Sequence, residues 1–186
     1  RQRQMCIRDR GGTTLINWTS SFRTPDQTLD HWAREHAVKG HSPAEMAPWF
    51  DKMEKRLGVS PWIMPPNANN DVIRQGCEAL GYSWHVIPRN VRGCWNLGYC
   101  GMGCPTNAKQ SMLVTTIPAT LEQGGELLYL ARADRLIIEK GKVLGVECQA
   151  MDERCVSPTG RKVTVKARHT VLAGGGINSP ALLLSL

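Results

Sequence analysis

Residues 170–184 read TVLAGGGINSPALLL, a short apolar run, three consecutive glycines and a second apolar stretch. The continuous run from Thr170 to Ala173 is typical of a strand buried on both faces. Ser179 as an N-cap with Pro180 in the first turn then indicates an apolar helix. This strand, glycine turn and helix form the unit at which doubly wound sheets place dinucleotides. Because the spacing is not G-x-G-x-x-G, tight packing of strand on helix explains the glycines equally well.

Three strands are predicted upstream of this turn. They span Glu126 to Arg132, Asp134 to Glu139 and Lys142 to Ala150, with a hairpin across Lys140-Gly141 between the last two. A polar loop is predicted around Pro158-Gly160. The alternation of Val163, Val165 and Ala167 then predicts the strand that leads into the run at residue 170.

Helical signals precede the strands. The first helix is predicted over Asp26 to His36, the second begins at the capping box Ser42-Pro43-Ala44-Glu45 and ends at Gly58, and the third covers about Asn70 to Leu80. A short helix is predicted between Pro118 and Gly124-Gly125. The intervening residues 93–106 are rich in glycine, cysteine and aromatic side chains, which favours an irregular loop.

Composition narrows the class of protein. Hydrophobic residues make up 41% and charged residues 21%, which is ordinary for a globular protein. The net charge is +7, and residues 1–10, with four arginines and one aspartate, contribute three of these positive charges. The remaining residues show no basic stripe, which argues against a nucleic-acid partner. No apolar run approaches the ~20 residues of a membrane span. Seven cysteines, an odd number, argue against a disulfide framework. They favour either a reducing, cytoplasmic location or cysteines that are engaged by a cofactor.

Residues 1–10, RQRQMCIRDR, resemble translated sequencing-adapter read-through. We expect them to be non-native and exclude them from the fold prediction. The chain is then expected to be an internal piece of a longer protein.

Three segments resemble the glucose-methanol-choline (GMC) oxidoreductases. Gly11-Gly12-Thr13-Thr14-Leu15-Ile16-Asn17, followed by Phe22 and Pro25, resembles the first signature of that family. The stretch from Gly175 to Leu184 resembles the second signature, with Gly176 where alanine is commoner. Between them, residues 131–136 and 145–147 resemble the family's adenine-contacting meander. The resemblance covers nearly the whole chain from Gly11.

The resemblance implies an α/β fold of mixed α+β character, with part of a Rossmann-type FAD-binding domain, a β-meander and part of a helical substrate-side domain. Residues 11–26 and 124–186 would belong to the FAD-binding domain, and residues 27–123 to the substrate side. Only glycine lets backbone approach a flat ring closely. The implied FAD contacts are Gly11, Gly12, Thr13, Asn17, Ala133, Ala173 and Gly174.

The implied reaction removes a hydride from the carbinol carbon of a small-molecule alcohol and delivers it to flavin. The five histidines, at positions 31, 36, 41, 85 and 169, match no catalytic motif of the family, so we predict no catalytic residue in this chain. The catalytic histidine and its partner are expected beyond Leu186, and the G-x-G-x-x-G phosphate loop before Gly11. The chain alone is therefore expected to be inactive.

Cys94, Cys100 and Cys104, followed by Pro105, occupy three of the four cysteine positions of a ferredoxin run. Their spacing resembles that of bacterial sugar and polyol dehydrogenase large subunits, where it ligates a three-iron cluster. Residues 99–105 and Lys109-Gln110 also resemble long-chain alcohol oxidases. A cluster would pass electrons to a cytochrome or quinone, whereas without one oxygen or a soluble carrier would take them. Three free thiols, or an iron-sulfur electron-transfer module on an α/β scaffold, remain as alternatives.

Overall fold

The computed structural model describes residues 11–185. The predicted non-native segment 1–10 lies outside the described residues. The chain divides into two units, a larger one of residues 13–120 and a smaller one that joins residues 121–185 to Gly11 and Gly12. Each unit is described by itself below.

Helices and irregular segments dominate the larger unit. The helices are α1 (Asp26–His36), α2 (Pro43–Leu57), α3 (Ala68–Leu80) and α4 (Thr116–Glu122), and two short 3₁₀ turns cover Gly12–Leu15 and Cys100–Met102. Strands β1 (Val59–Pro61) and β2 (Pro88–Asn90) pair antiparallel, with Ser60 opposite Arg89. The predicted loop over residues 93–106 is confirmed as irregular apart from the second 3₁₀ turn.

The helix ends follow the signals in the sequence. The Ser42 hydroxyl accepts the Glu45 N–H while the Glu45 carboxylate accepts the Ser42 N–H, so the predicted capping box is confirmed. Helix α2 stops at Gly58, which adopts the left-handed conformation that favours glycine. Helix α3 begins slightly earlier than predicted, because the Asn67 side chain caps it by accepting the Asn70 N–H.

The centre of the larger unit combines apolar and polar side chains. Leu29 of α1 is only 1% exposed, and Thr19, Asn90, Lys109 and Ser111 are also buried. Backbone hydrogen bonds hold three chain segments side by side here: Asn90 N–H donates to Thr19 O at 3.1 Å, and Gln110 N–H donates to Asn90 O at 3.0 Å. The segments around residues 19, 90 and 109 therefore form one hydrogen-bonded layer.

The smaller unit is an antiparallel meander followed by a helix. Its strands are β3 (Ala131–Glu139), β4 (Lys142–Met151) and β5 (Pro158–Lys166), in the order β3-β4-β5, and helix α5 spans Gly175–Leu184. The hairpin predicted across Lys140-Gly141 is confirmed. The two separate strands predicted before it are wrong: they are one strand with a bulge between Ala133 and Arg135, and residues 126–130 are irregular.

The predicted polar loop at Pro158-Gly160 is also wrong, since these residues begin β5. The turn lies earlier, where the Asp152 carboxylate accepts the N–H groups of Val156 at 2.8 Å and Ser157 at 3.2 Å. These hydrogen bonds lower the pKa of Asp152 and close the loop between β4 and β5.

The strand predicted to end at Ala173 stops at Lys166 instead, and residues 167–173 are irregular. No strand in residues 11–185 pairs with residues 170–173, and the Val171 side chain is 85% exposed. A strand buried on both faces needs neighbours that complete its ladder. The run therefore has the composition of a buried strand without forming one here.

The glycine turn does lead into a helix, but the predicted cap is wrong. Helix α5 is capped at Gly174, and Pro180 lies inside it. Ser179 Oγ accepts the Gly174 N–H at 3.0 Å from within the helix, so it satisfies the first amide without being the N-cap. Across residues 11–185, none of the helices combines the length and the apolar character that crossing a bilayer requires.

Candidate functional site

Lys109 lies at the centre of the larger unit and connects two segments that are far apart in sequence. Its ammonium donates to the main-chain oxygens of Leu15 at 3.0 Å, Asn17 at 2.5 Å and Cys100 at 2.5 Å. Lys109 as a whole is only 3% exposed, so water competes little for these hydrogen bonds. All three protons of an ammonium can be used in this way. Lys109 thus connects the first 3₁₀ turn, through hydrogen bonds, to the irregular loop of residues 93–106, called the cysteine loop below.

The position of Lys109 follows from the local backbone. An isolated antiparallel bridge pairs it with Val91, directly after β2, and the preceding Ala108 is buried. Burial lowers the pKa of Lys109, the nearby Cys100 and Cys104 raise it, and the Arg89 charge lowers it further. The ammonium is therefore less favoured than in water, and its charge is balanced mainly by carbonyl dipoles.

Arg89 forms a second cationic connection beside Lys109. Its Nε donates to Thr19 Oγ1 at 2.7 Å, and its Nη2 donates to Trp18 O and to Cys100 Sγ, both at 3.3 Å. The guanidinium carbon lies 4.3 Å from the centroid of the Trp62 ring, within the range of a cation–π contact. Arg89 therefore holds the chain after the first 3₁₀ turn against the cysteine loop.

Thr19, which Arg89 contacts, has a strained backbone. Its φ is +67°, and it is fully buried. A β-branched residue rarely adopts this left-handed conformation, which costs on the order of 1–3 kcal/mol and persists only where surrounding contacts impose it. Here Asn90 N–H and Ser21 Oγ both donate to Thr19 O. The strained residue directly follows Trp18, whose side chain lines the cavity described next.

A cavity of about 420 Å³ opens beside the cysteine loop, entirely within the larger unit. Arg89, Asn67 and Asn70 supply polar groups to its lining. The Trp18 ring lies against the loop, because a Cβ on Gly101 would be 3.1 Å from Trp18 Cζ2. Apolar and aromatic side chains supply much of the remaining wall, among them Trp18, Trp62, Met64, Trp95, Leu97 and Tyr99. Such a wall suits an organic molecule with a substantial apolar part.

The three candidate metal ligands, Cys94, Cys100 and Cys104, all line this cavity. Each sulfur nevertheless has its own hydrogen-bond partner: Asn96 N–H donates to Cys94, Arg89 donates to Cys100, and the Thr106 hydroxyl pairs with Cys104. Within the described residues, no three His, Cys, Asp or Glu side chains are grouped so that they could hold a metal ion. The described residues therefore give no support to the predicted three-iron site, and none of these three cysteines forms a disulfide there.

The cofactor candidates of the first signature lie on the first 3₁₀ turn and immediately around it, with Gly11 before the turn and Asn17 two residues after it. Gly12 has a φ of +61°, and nothing lies within 4 Å of the position that a Cβ would take. This open, left-handed backbone fits a segment approached by a flat ring. Thr13 and Asn17 are exposed, and Asn17 Oδ1 accepts the Thr19 N–H at 3.3 Å. The segment fits the predicted role in FAD binding.

The remaining cofactor candidates lie in the smaller unit. Ala133 is exposed and stands at the bulge of β3, so its backbone is accessible. Ala173 is exposed in the irregular segment before α5. The space beside Gly174 is filled by its own helix, since a Cβ there would be 3.3 Å from Asn178 Cβ and from Ser179 Oγ. Close packing therefore explains this glycine, and all three roles remain predictions.

Sequence reasoning did not assign a role to Lys109, Arg89 or Thr19. The dipeptide Lys109-Gln110 was noted only as part of a loop resemblance, and lysine is rarely buried. Arg89 and Thr19 carry no local signal, because their roles depend on contacts 70 residues apart. The five histidines are all exposed. The absence of a catalytic residue among them stays a prediction.

Comparison with known proteins gives a consistent assignment. The sequence model of the GMC oxidoreductase family matches residues 2–185. The chain is 34% identical over 173 residues to an uncharacterized GMC-type oxidoreductase of Sinorhizobium fredii, covering 93% of the chain and 34% of that protein. It is 30% identical over 184 residues to a long-chain-alcohol oxidase of Arabidopsis thaliana, covering 94% of the chain and 24% of that protein.

A more distant relative is paromamine 6'-oxidase of Streptomyces fradiae, 30% identical over 161 residues, covering 76% of the chain and 29% of that protein. The chain thus spans between 24% and 34% of the length of these relatives. The family match covers both units and all three segments whose resemblance suggested it. This chain belongs to the GMC oxidoreductase family, FAD-dependent flavoproteins whose amino-terminal domain is Rossmann-like.

Proposed function

We propose that this chain forms part of an FAD-dependent enzyme that oxidises the CH–OH group of an alcohol. Long-chain-alcohol oxidases of Arabidopsis thaliana are among its relatives, at 28–30% identity. Because the chain covers 24% of their length, the activity of the whole protein is inferred from the family and from the geometry of this part.

The observation that carries the proposal is the set of hydrogen bonds by which Lys109 connects the first-signature segment, residues 11–17, to the wall of the cavity. Lys109 holds Leu15 and Asn17 against Cys100, and Trp18 continues directly from Asn17 into the cavity lining. A molecule in this cavity would therefore lie next to the segment that the family signature assigns to flavin. Reactants held side by side need no further search in the reaction step.

The residues of this chain have distinct parts in this proposal. FAD, when bound, accepts the hydride that leaves the carbinol carbon. Gly11 and Gly12 let the backbone approach the flavin, while Trp18 and Trp62 bury the apolar part of the alcohol and exclude water. The histidine that takes the hydroxyl proton is proposed to lie in the part of the relatives that this chain does not span.

The identity of the electron acceptor depends on whether Cys94, Cys100 and Cys104 hold an iron-sulfur cluster. Since no metal-holding group of three side chains is found among the described residues, the cysteine loop offers no support for a cluster that would relay electrons to a cytochrome or quinone. We therefore propose that oxygen or a soluble carrier takes the electrons from the flavin directly. Oxygen consumption measured against reduction of a quinone analogue distinguishes these acceptors.

The test uses the full-length protein. We expect two resolved flavin bands in its visible spectrum, and bleaching of those bands when a primary alcohol is added without oxygen. A broad sulfur-to-iron envelope without flavin, or a flavin that no alcohol reduces, would overturn the proposal. The first of these results would favour an iron-sulfur electron-transfer module.

A variant pair tests the role of the cavity. Trp18→Leu removes an aromatic wall beside the cysteine loop, whereas Trp49→Leu removes a comparably exposed indole from α2 that does not line the cavity. We expect Trp18→Leu to raise the KM for longer alcohols more than for short ones and Trp49→Leu to leave both values unchanged. Equal effects of the two variants would place the substrate elsewhere.

A further inference from the structure

The Lys109 ammonium is unusual because it is buried without a carboxylate. Within residues 11–185 it forms no ion pair, and its three hydrogen bonds all go to main-chain oxygens. Removing an ammonium from water is costly unless hydrogen bonds compensate it. An apolar side chain would often serve stability as well at such a position. What an apolar side chain cannot do is fix three carbonyl oxygens around one point.

The three oxygens belong to two segments that are far apart in sequence. Leu15 ends the first 3₁₀ turn, Asn17 follows it by two residues, and Cys100 begins the second turn. They are separated from Lys109 by 94, 92 and 9 residues respectively. Hydrogen bonds from a charged donor are shorter and stronger than those between neutral groups. The ammonium therefore defines the distance between the two turns.

We infer that Lys109 is a positioning residue, which holds the Leu15–Asn17 turn and the Cys100 turn in one fixed arrangement. The inference rests on the proposed function only for its consequence, namely that the flavin-binding segment and the cavity wall keep a constant separation. Lys109 itself touches neither substrate nor cofactor in this account. Arg89 supports the same arrangement through its contact with the Cys100 sulfur.

Lysine suits this task better than arginine. A lysine ammonium directs three protons toward three corners of a tetrahedron, whereas an arginine guanidinium directs its protons in one plane. The three acceptors of Lys109 come from separate points along the chain. Lys109→Arg is therefore expected to keep the charge and lose part of the arrangement, and Lys109→Met to lose both.

Hydrogen exchange on this 186-residue chain tests the inference without any cofactor. The Asn17 amide donates to Thr13 O at 2.9 Å and the Met102 amide donates to Tyr99 O at 3.0 Å, so both report on their turns. In Lys109→Met we expect both amides to exchange about tenfold faster, with the β3–β4 hairpin unchanged. Lys142→Met, at an exposed lysine of β4, is the control and should alter neither turn.

Two results would overturn the inference. One is faster exchange of only one turn, which would show that Lys109 does not couple them. The other is a uniform increase over both units, which would make Lys109 a general stabilising residue. If Lys109→Met fails to fold, Lys109→Arg answers the same question, with a smaller increase expected at the same two amides and no increase counting against the inference.

The full-length protein separates this inference from the proposed function. We expect Lys109→Met to release FAD more readily, about tenfold in apparent dissociation constant, while the KM for alcohol changes little. Wild-type protein that binds FAD but oxidises no alcohol would refute the proposed function and leave the exchange result standing. Unchanged exchange in an enzyme that does oxidise alcohols would refute the role of Lys109 alone.

Discussion

Gly145 of β4 packs directly against the carbonyl group of Val165 in β5, leaving no room for a side chain. A Cβ at Gly145 would overlap the Val165 carbonyl oxygen and lie 2.9 Å from Lys166 Cα, and both neighbours are backbone. Backbone in a paired strand cannot move aside without breaking the ladder. We predict that Gly145→Ala lowers the free energy of unfolding by roughly 1–3 kcal/mol, measured by urea denaturation.

Gly176→Ala is the matched control for this prediction. Gly176 lies in helix α5 of the same unit, with nothing within 4 Å of the Cβ position. Alanine is the better helix former by roughly 0.5–1 kcal/mol, so this variant should be neutral or slightly more stable. If Gly145→Ala left the free energy of unfolding as little changed as Gly176→Ala does, the two strands would not approach each other as closely at Gly145 as described.

Glu147 makes the meander sensitive to acid. Its carboxylate lies between Lys162 and Arg135, at 3.0 Å from each, and hydrogen bonds from these two side chains lower its pKa below the ordinary 4.5. A carboxylate with a depressed folded pKa stabilises the fold above its unfolded pKa, and this contribution disappears as pH falls through the folded value. Glu147→Gln should therefore lower the Tm at pH 7, and this effect should shrink progressively as the pH is lowered from 7 toward 3.

The measurement is thermal unfolding of both proteins across that pH range. Glu139→Gln, at an exposed carboxylate that ends β3, serves as the control and should leave the Tm difference between the two pH values unchanged. A Glu147→Gln curve parallel to that of the wild type would show that the two ion pairs contribute nothing, as many exposed pairs do.

Ser42 should contribute measurably to the stability of α2. Its hydroxyl accepts the Glu45 N–H, and that amide would lose its partner in Ser42→Ala. Loss of an N-cap typically costs about 1 kcal/mol. We expect urea denaturation to show a decrease of this size for Ser42→Ala. Ser83→Ala, at an exposed serine outside the helices, should show none.

Local signals predicted the helices of this chain well and the strands less well. The bounds of α1, the capping box at Ser42 and the stop at Gly81 are set by residues close in sequence, so they can be predicted from it. The strand at residues 170–173 depends on partner strands, and within the described residues none is present. The apolar composition of residues 170–173 is typical of a buried strand, but a strand forms only where partner strands can pair with it.

The candidate site shows the same division between local and distant causes. The cysteine spacing predicted that three thiols would share one loop, and in the structure all three also line one cavity. Whether they converge on a metal depends on side-chain directions, and those are set by Arg89, Asn96 and Thr106. The bond from Lys109 to Leu15 spans 94 residues, so no local pattern could indicate it.

Cys104 and Cys148 should differ in reactivity because their surroundings shift their pKa values in opposite directions. Burial raises the pKa of Cys104, but hydrogen bonds from the Thr106 hydroxyl and from the N–H groups of Lys109, Thr106 and Ala108 lower it by more. Burial raises the pKa of Cys148, and the charge of Asp134 raises it further. Since the thiolate is the nucleophile, iodoacetamide at pH 7.5 should alkylate Cys104 faster than Cys148, as measured by peptide mass spectrometry.

Two controls show whether hydrogen bonding causes that difference. In urea both thiols lose their surroundings, so their alkylation rates should become equal. Thr106→Val keeps the shape of the side chain and removes the hydroxyl that lies 3.5 Å from Cys104 Sγ, so alkylation of Cys104 should slow while that of Cys148 stays the same. A folded chain in which Cys148 reacts as fast as Cys104 would contradict the prediction, because both the pKa shifts and the burial of Cys148 favour reaction at Cys104.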